Sequence, residues 1–228
     1  MNDKKHLDNL KAIFLPEPFE AERDRGYLSS IPHILKEIYI DDVYSGLFLG
    51  RKDLVVLDIG AHIGLWSMFA SRFCSKIYAF EPASDLYEIL VKNIEYNGYK
   101  NVESLKIAIA NADTKTTLFK GGQNTTANLL GDAGRGSEEV ECWTLPTLFE
   151  KKGLEHVDVM KLDVEGAEFG IIGGDYFERV APKIDFIVGE VHSWANRNYQ
   201  NFYWSLKKRG YHVDYSNKAV GVYLARRV

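Results

Sequence analysis

Asp58, Glu81, Asp163, Glu165, Glu190 and His192 are the residues of this sequence whose types and spacing could do chemistry in one place. They follow short apolar runs that read as buried parallel strands: 54–57 (LVVL), 76–80 (KIYAF), 157–162 (VDVMKL) and 184–188 (IDFIV). Ligands of open α/β sheets sit outside the carboxyl ends of such strands, so these side chains are expected to face one crevice. Carboxylates there attract a cation and accept hydrogen bonds from hydroxyls. A His beside acidic groups can serve as a general base near neutral pH, and alternation puts Glu190 and His192 on the same side. Asp163, Glu165, Glu190 and His192 are therefore the expected catalytic set. His192 or Asp163 is the base, and Glu165 and Glu190 orient the acceptor or the base. The same four could offer ligands to a divalent metal, but no close ligand spacing demands one and no metal is predicted.

The stretch around Asp58 narrows the ligand. Residues 54–67 read LVVLDIGAHIGLWS. Gly60 and Gly64 bracket a short turn between strand and amphipathic helix, and the helix's free N–H groups and positive dipole end face that turn. Glycine lets the backbone turn tightly and approach a ligand closely. The dinucleotide fingerprint needs three glycines, yet from Gly60 its places hold Gly60, His62 and Leu65, which disfavours an NAD-dependent oxidoreductase. The spacing is instead acid-x-Gly-x-x-x-Gly, and an acid at the strand tip repels a pyrophosphate. A ligand carrying a sulfonium and an ammonium suits it, and S-adenosylmethionine has both. Glu81 lies about 20 residues past the turn, where a carboxylate accepts from ribose hydroxyls.

The elements that must hold these residues are legible in outline. The helix after the turn carries Leu65, Trp66, Phe69 and Phe73 on one face. Ser84 or Asp85 is expected to cap a helix with the stripe Leu86, Ile89, Leu90 and Ile94, ended by Asn97-Gly98. Residues 104–110 (SLKIAIA) read as a third strand, with Ala108 near its end lining an adenine slot. Short strands at 116–119 and 139–143 flank Gly-, Asn- and Thr-rich loops at 121–126 and 131–137. Thr144 caps a helix with Pro146 in its first turn and Gly153 past its end. Gly166 is expected to open a helix, with Glu168 one turn in and structural. A helix over 199–209 turns Phe202, Tyr203 and Leu206 inward, and strands at 211–215 and 220–225 close the chain as a hairpin about a turn at 216–219. Trp194 has the chemistry to stack on a sugar, although packing at a helix start is the commoner use.

With 228 residues, 46% hydrophobic and 26% charged, the sequence supports one soluble domain with ample core. A net charge of -4 supplies no basic field for nucleic acid or a membrane surface. Cys74 and Cys142 make no metal or disulfide pattern, and neither a signal peptide nor a membrane span is seen, so a cytoplasmic setting is expected. Residues 1–50 read as a helical N-terminal extension or lid, with a helical segment at 31–39 and with Tyr39 and Tyr44 as core or surface aromatics. Residues 51–228 form the catalytic domain.

These motifs together resemble the FkbM family of class I S-adenosylmethionine-dependent methyltransferases. The carrying segments are VVLDIGAHIG (55–64), YAFEP (78–82), KIAIA (106–110), VMKLDVEGAE (159–168) and IVGEVH (187–192). His62 departs from the Asn or Gly of many relatives. The resemblance implies a Rossmann-like, mostly parallel seven-stranded sheet with helices on both faces and an antiparallel last strand. It implies a cofactor site of Asp58, Gly60, Ala61, His62 and Gly64 around the methionine part, Glu81 and Pro82 at the ribose, and Ala108 and Asp163 nearby. It also implies O-methylation of a hydroxyl on a sugar or another small-molecule or glycan acceptor. The Asp/Asn-Pro-Pro-aromatic motif of amino-directed nucleic-acid enzymes is absent, and Leu162-Asp163-Val164-Glu165 stands at the matching strand end. An RNA methyltransferase and a catalytically silent cofactor-binding module are the alternative readings.

Overall fold

A computed structural model describes residues 38, 44–48, 50–120, 127–128, 136–192, 198–217 and 222–228. The 31–39 segment apart from Ile38, the 121–126 loop, most of 131–137, Trp194 and residues 218–219 of the 216–219 turn lie outside the described residues.

Seven strands form the main sheet: β1 (Leu54–Ile59), β2 (Cys74–Phe80), β3 (Val102–Leu105), β8 (Val157–Leu162), β9 (Ile184–Glu190), β10 (Tyr211–Asn217) and β11 (Val222–Arg227). Their order is β10-β11-β9-β8-β1-β2-β3. β11 runs antiparallel between β9 and β10, and the neighbours from β9 to β3 are parallel. The order reverses between β1 and β8, which makes their carboxyl ends the topological switch point.

Helices cover both faces, and strand alternation decides which residues meet them. Leu54 and Val56 of β1 and Val159 of β8 face one side, under α1 (Leu65–Ala70) and α2 (Ser84–Tyr96). Leu57, Ile59, Met160 and Leu162 face the other, under α3 (Leu145–Lys152), α4 (Glu168–Gly173), α5 (Asp175–Val180) and α6 (Tyr199–Lys208). Asp58 and Lys161 are register partners and share the first side, beneath α1. On that side Ile38, Tyr44, Leu47 and Phe48 also join the core. Phe48 stacks on Phe73 at 5.0 Å and meets Trp66 and Phe69 at 6.2 and 6.0 Å.

Some local expectations change. The run 104–110 is two strands rather than one: β3 ends at Leu105, and β4 (Ala108–Ile109) pairs with β7 (Ser137–Trp143) in a second sheet. The alternation continues unbroken while the hydrogen-bonding partner switches, so the pattern alone reads as one strand. That second sheet has the order β4-β7-β5-β6, with β5 at Thr114–Lys120 and β6 at Ala127–Asn128. Neither Ser84 nor Asp85 caps α2, which starts after Ala83 without a side-chain cap. Glu138 of β7 instead accepts from the Ser84 N–H at 3.0 Å and from its hydroxyl. Gly166 does not open a helix. Glu165 and Gly166 hold φ of 53° and 103°, a left-handed pair that no α-helix accommodates, and α4 begins at Glu168. Thr144 does cap α3, accepting from Thr147 N–H, and Gly153 ends it at φ 61°.

Candidate active site

The turn after β1 is shaped by its neighbours. Gly60 has φ 83°, and a Cβ there would lie 1.8 Å from the Asp163 carbonyl oxygen. Asp163 N–H in turn donates to the Ile59 carbonyl at 3.0 Å. Glycine at 60 is therefore demanded by the pressing together of the β1 and β8 tips. Gly64, at φ 88°, would push a Cβ to 2.5 Å from the Leu90 side chain. Gly60 and Ala61 both donate to the Phe80 carbonyl, and His62, at φ 53°, donates its N–H to Glu81 Oε2 at 2.9 Å.

Glu81 stands at the carboxyl end of β2, 5% exposed. Its Oε1 accepts from Ala83 N–H at 2.9 Å. Each oxygen thus takes one backbone donor and keeps a lone pair for a ligand hydroxyl. Burial outweighs these bonds and pushes its carboxyl up to about 7. Pro82 beside it is half-buried. Ala108, 4% exposed, packs into the core on the α1–α2 side from its place in the second sheet.

Asp58 is fully buried, and its Oδ2 accepts from Ser67 of α1 at 2.6 Å. Its Oδ1 has no hydrogen-bond partner among the described residues, with the Lys161 ammonium 3.6 Å away. Burial raises its pKa against the pull of Lys161 and Ser67. Lys161 Nζ also donates to the Gly60 carbonyl at 3.2 Å and to Asp163 Oδ2 at 3.3 Å. One ammonium therefore joins the two strand tips at the switch point. The motif pattern assigns Lys161 no role. A lysine in a buried strand that must find a carboxylate was the signal.

The catalytic candidates gather on the β8 and β9 side. Glu165 Oε2 lies 3.5 Å from His192 Nε2, and Asp163 Oδ1 lies 4.0 Å from it. The other ring nitrogen, Nδ1, is 2.9 Å from Oε1 of Glu168, which also accepts from Val164 N–H. Glu168, expected to be merely structural, is fully buried and fixes the imidazole. Its place one turn past the strand end, on the inward side of α4, was the available clue. Burial alone would lower the His192 pKa, but the Glu168 bond and the Glu165 and Asp163 charges hold it up at about 9. Burial raises Glu165 to about 7, with Glu190 among the neighbouring charges that add to the rise. β9 ends at Glu190, so alternation does not extend to His192, which reaches the group through Glu168.

The chemistry of these donors fits S-adenosylmethionine. Asp58 presents a buried oxygen that no hydrogen bond among the described residues occupies, with Lys161 3.6 Å away as its ion-pair partner, and each Glu81 oxygen keeps a lone pair that a ribose hydroxyl could use. Both stand at one edge of the glycine turn.

A family model described as the methyltransferase FkbM domain matches residues 58–213. The chain belongs to the FkbM methyltransferase family. This methyltransferase is 29% identical over 196 residues to methyltransferase sdnD of Sordaria araneosa, covering 70% of this chain and 75% of that protein. Among solved structures it resembles a precorrin-6y C5,15-methyltransferase of Geobacter metallireducens, with TM-score 0.52, 18% identity, and 82% and 87% of the two chains covered. An rRNA methylase of Streptococcus thermophilus aligns with TM-score 0.52, 10% identity, and 83% and 96% covered. These two likenesses show the class I fold. Family membership makes the chain an S-adenosylmethionine-dependent methyltransferase. No helix among the described residues is long and apolar enough to cross a membrane.

Proposed function

We propose that this methyltransferase methylates a hydroxyl oxygen of a sugar or another small-molecule or glycan acceptor. The observation that carries the reading is the group Asp163, Glu165 and His192, backed by Glu168, beside the buried Asp58–Lys161 pair. An alkyl hydroxyl is a poor nucleophile until it loses its proton, and this group supplies proton acceptors at the strand ends.

When bound, S-adenosylmethionine supplies a methyl group already made electrophilic by its sulfonium. Asp58 and the Gly60–Gly64 turn hold the methionine part, including Ala61 and His62. Glu81, with Pro82 beside it, holds the ribose. Glu165 and Glu190 orient the acceptor hydroxyl, and its proton goes to Asp163 or to His192 once the imidazole has given up its own proton. Alignment of acceptor and methyl donor is worth up to about 7–11 kcal/mol in well-oriented systems, and a positioned base adds roughly 10²–10⁴-fold.

The test is calorimetric titration with S-adenosylmethionine and its demethylated product, with NAD as control and Glu81→Ala alongside, followed by turnover on a panel of hydroxylated acceptors and on total RNA. Tight adenosyl binding lost in the variant, with methylation of a hydroxylated small molecule or glycan, is the expected result. Methylation of RNA alone would replace the acceptor class. Absence of adenosyl binding in folded protein would overturn the reading.

A further inference from the structure

The sequence spacing demanded no metal, but the folded geometry does point to one. We propose that Asp163, Glu165 and His192 hold a divalent first-row cation of the Mn²⁺ type, on which the acceptor hydroxyl is carried. This rests on the reading of the same site as an O-methyltransferase centre.

One ligand atom from each of the three lies within 4.8 Å of the others. The separations of 3.5 and 4.0 Å from His192 Nε2 are too long for good hydrogen bonds. Donor atoms bound at about 2.1 Å to one ion stand roughly 3.0–3.4 Å apart, so a small closure brings the three onto a common centre. The far side of the ring carries the partner that metal-bound histidines use: Glu168 takes Nδ1, which aims Nε2 at the carboxylates. Asp163 divides its oxygens, giving Oδ2 to Lys161 and leaving Oδ1 toward His192.

Independent of this cluster geometry, the surroundings hold polar groups left without partners. Tyr223 of β11 is 1% exposed, and its hydroxyl has no hydrogen-bond partner among the described residues. Glu168 and Asp163 are the charges that act most strongly on it. The second oxygen of fully buried Glu168 is likewise unpartnered. Buried polar groups are normally satisfied, and a hydrated ion beside them would supply donors and acceptors.

Two carboxylate oxygens and one imidazole nitrogen with open positions suit Mn²⁺ over Ca²⁺, which takes more oxygens at longer range. An acceptor oxygen held on the ion would lose its proton to solvent more readily than a free hydroxyl, the electron pair of the broken O–H bond staying on the oxygen. His192 and Asp163 then act through the ion.

The test is titration of the whole, chelator-treated protein with Mn²⁺, read by loss of the free-ion electron paramagnetic resonance signal. S-adenosylmethionine binding is measured in the same samples without Mn²⁺. One ion per chain is expected. Asp163→Asn, Glu165→Gln and His192→Ala should each weaken it at least tenfold, and Glu168→Gln roughly 10–100-fold. Asp185→Asn, at the other end of the sheet, should leave it unchanged. No stoichiometric ion in folded wild-type protein, or binding retained in all three ligand variants, overturns the inference. Adenosyl binding without Mn²⁺ binding defeats the ion alone, whereas Mn²⁺ binding without adenosyl binding defeats the parent reading.

Discussion

Two groups of one histidine and two carboxylates stand at opposite ends of the same pair of strands. His156, Asp158 and Asp185 sit at the amino ends of β8 and β9, and Asp163, Glu165 and His192 lie beyond or at their carboxyl ends. At the amino end, arginines have taken the carboxylates. Arg51 reaches Asp158 at 2.8 Å, Val55 N–H fills the other oxygen, and Arg227 reaches Asp185 at 2.8 Å. Burial would raise Asp185, but hydrogen bonds from Arg227 and His156 hold it below the usual carboxylate range. At the carboxyl end no arginine among the described residues pairs with Asp163, Glu165 or Glu168. The same residue types are met by arginines at one end and by Lys161 and His192 at the other. The difference lies in which cations the fold brings to them.

The sharpest way to break this contrast is turnover. His192→Ala or Asp163→Asn should cost roughly 10²–10⁴-fold in kcat with S-adenosylmethionine affinity intact, while Asp185→Asn should leave kcat within a few-fold. Full activity in both of the first two would put the ends on an equal footing. Stability separates the cations next. Lys161→Met leaves buried Asp58 uncompensated and should cost about 3–5 kcal/mol in urea unfolding. A loss under 1 kcal/mol would mean that Asp58 is held by Ser67 alone.

Proton release gives a smaller effect. Glu81 sits near 7 in the free protein, and ribose hydroxyls donate to its ionised form, so binding should release a proton near neutrality. Affinity for S-adenosylmethionine should then rise about tenfold between pH 6 and 8 and level off above, with the released proton seen calorimetrically in buffers of different ionisation enthalpy. A flat profile would remove Glu81 from the ribose. The smallest effect belongs to the arginine end. Arg51→Ala, at a partly exposed pair, should lower stability by about 1 kcal/mol and leave turnover unchanged.

The parallel strands and their tips were legible because buried runs ending in Asp58, Glu81 and Asp163 carry both the strand signal and the polarity break. The final hairpin was legible from its two flanking runs, although Ser216 and Asn217, read as turn, belong to β10. What was not legible depended on partners far along the chain. The side chain that takes the Ser84 N–H at the start of α2 is Glu138, 54 residues away. Leu105 and Ala108 keep one alternation while changing sheets. Lys161 and Glu168 look local in sequence, yet their roles come from Asp58 and His192, which only the sheet order places beside them.

That sheet order bears on how the molecule is made. Lys161 and Gly60 meet across 101 residues of chain, and β8 is the strand that completes the second side of β1. Closing so long a loop precedes any gain from the pairing, so the centre of the sheet is a late, high-contact-order event. During synthesis β1 and β2 emerge well before β8. Until β8 arrives, β1 presents an open, apolar edge with Asp58 lacking its cation. An interior strand of the finished enzyme, β1, is thus the aggregation-prone edge of the nascent one, and that interval is where a chaperone would act.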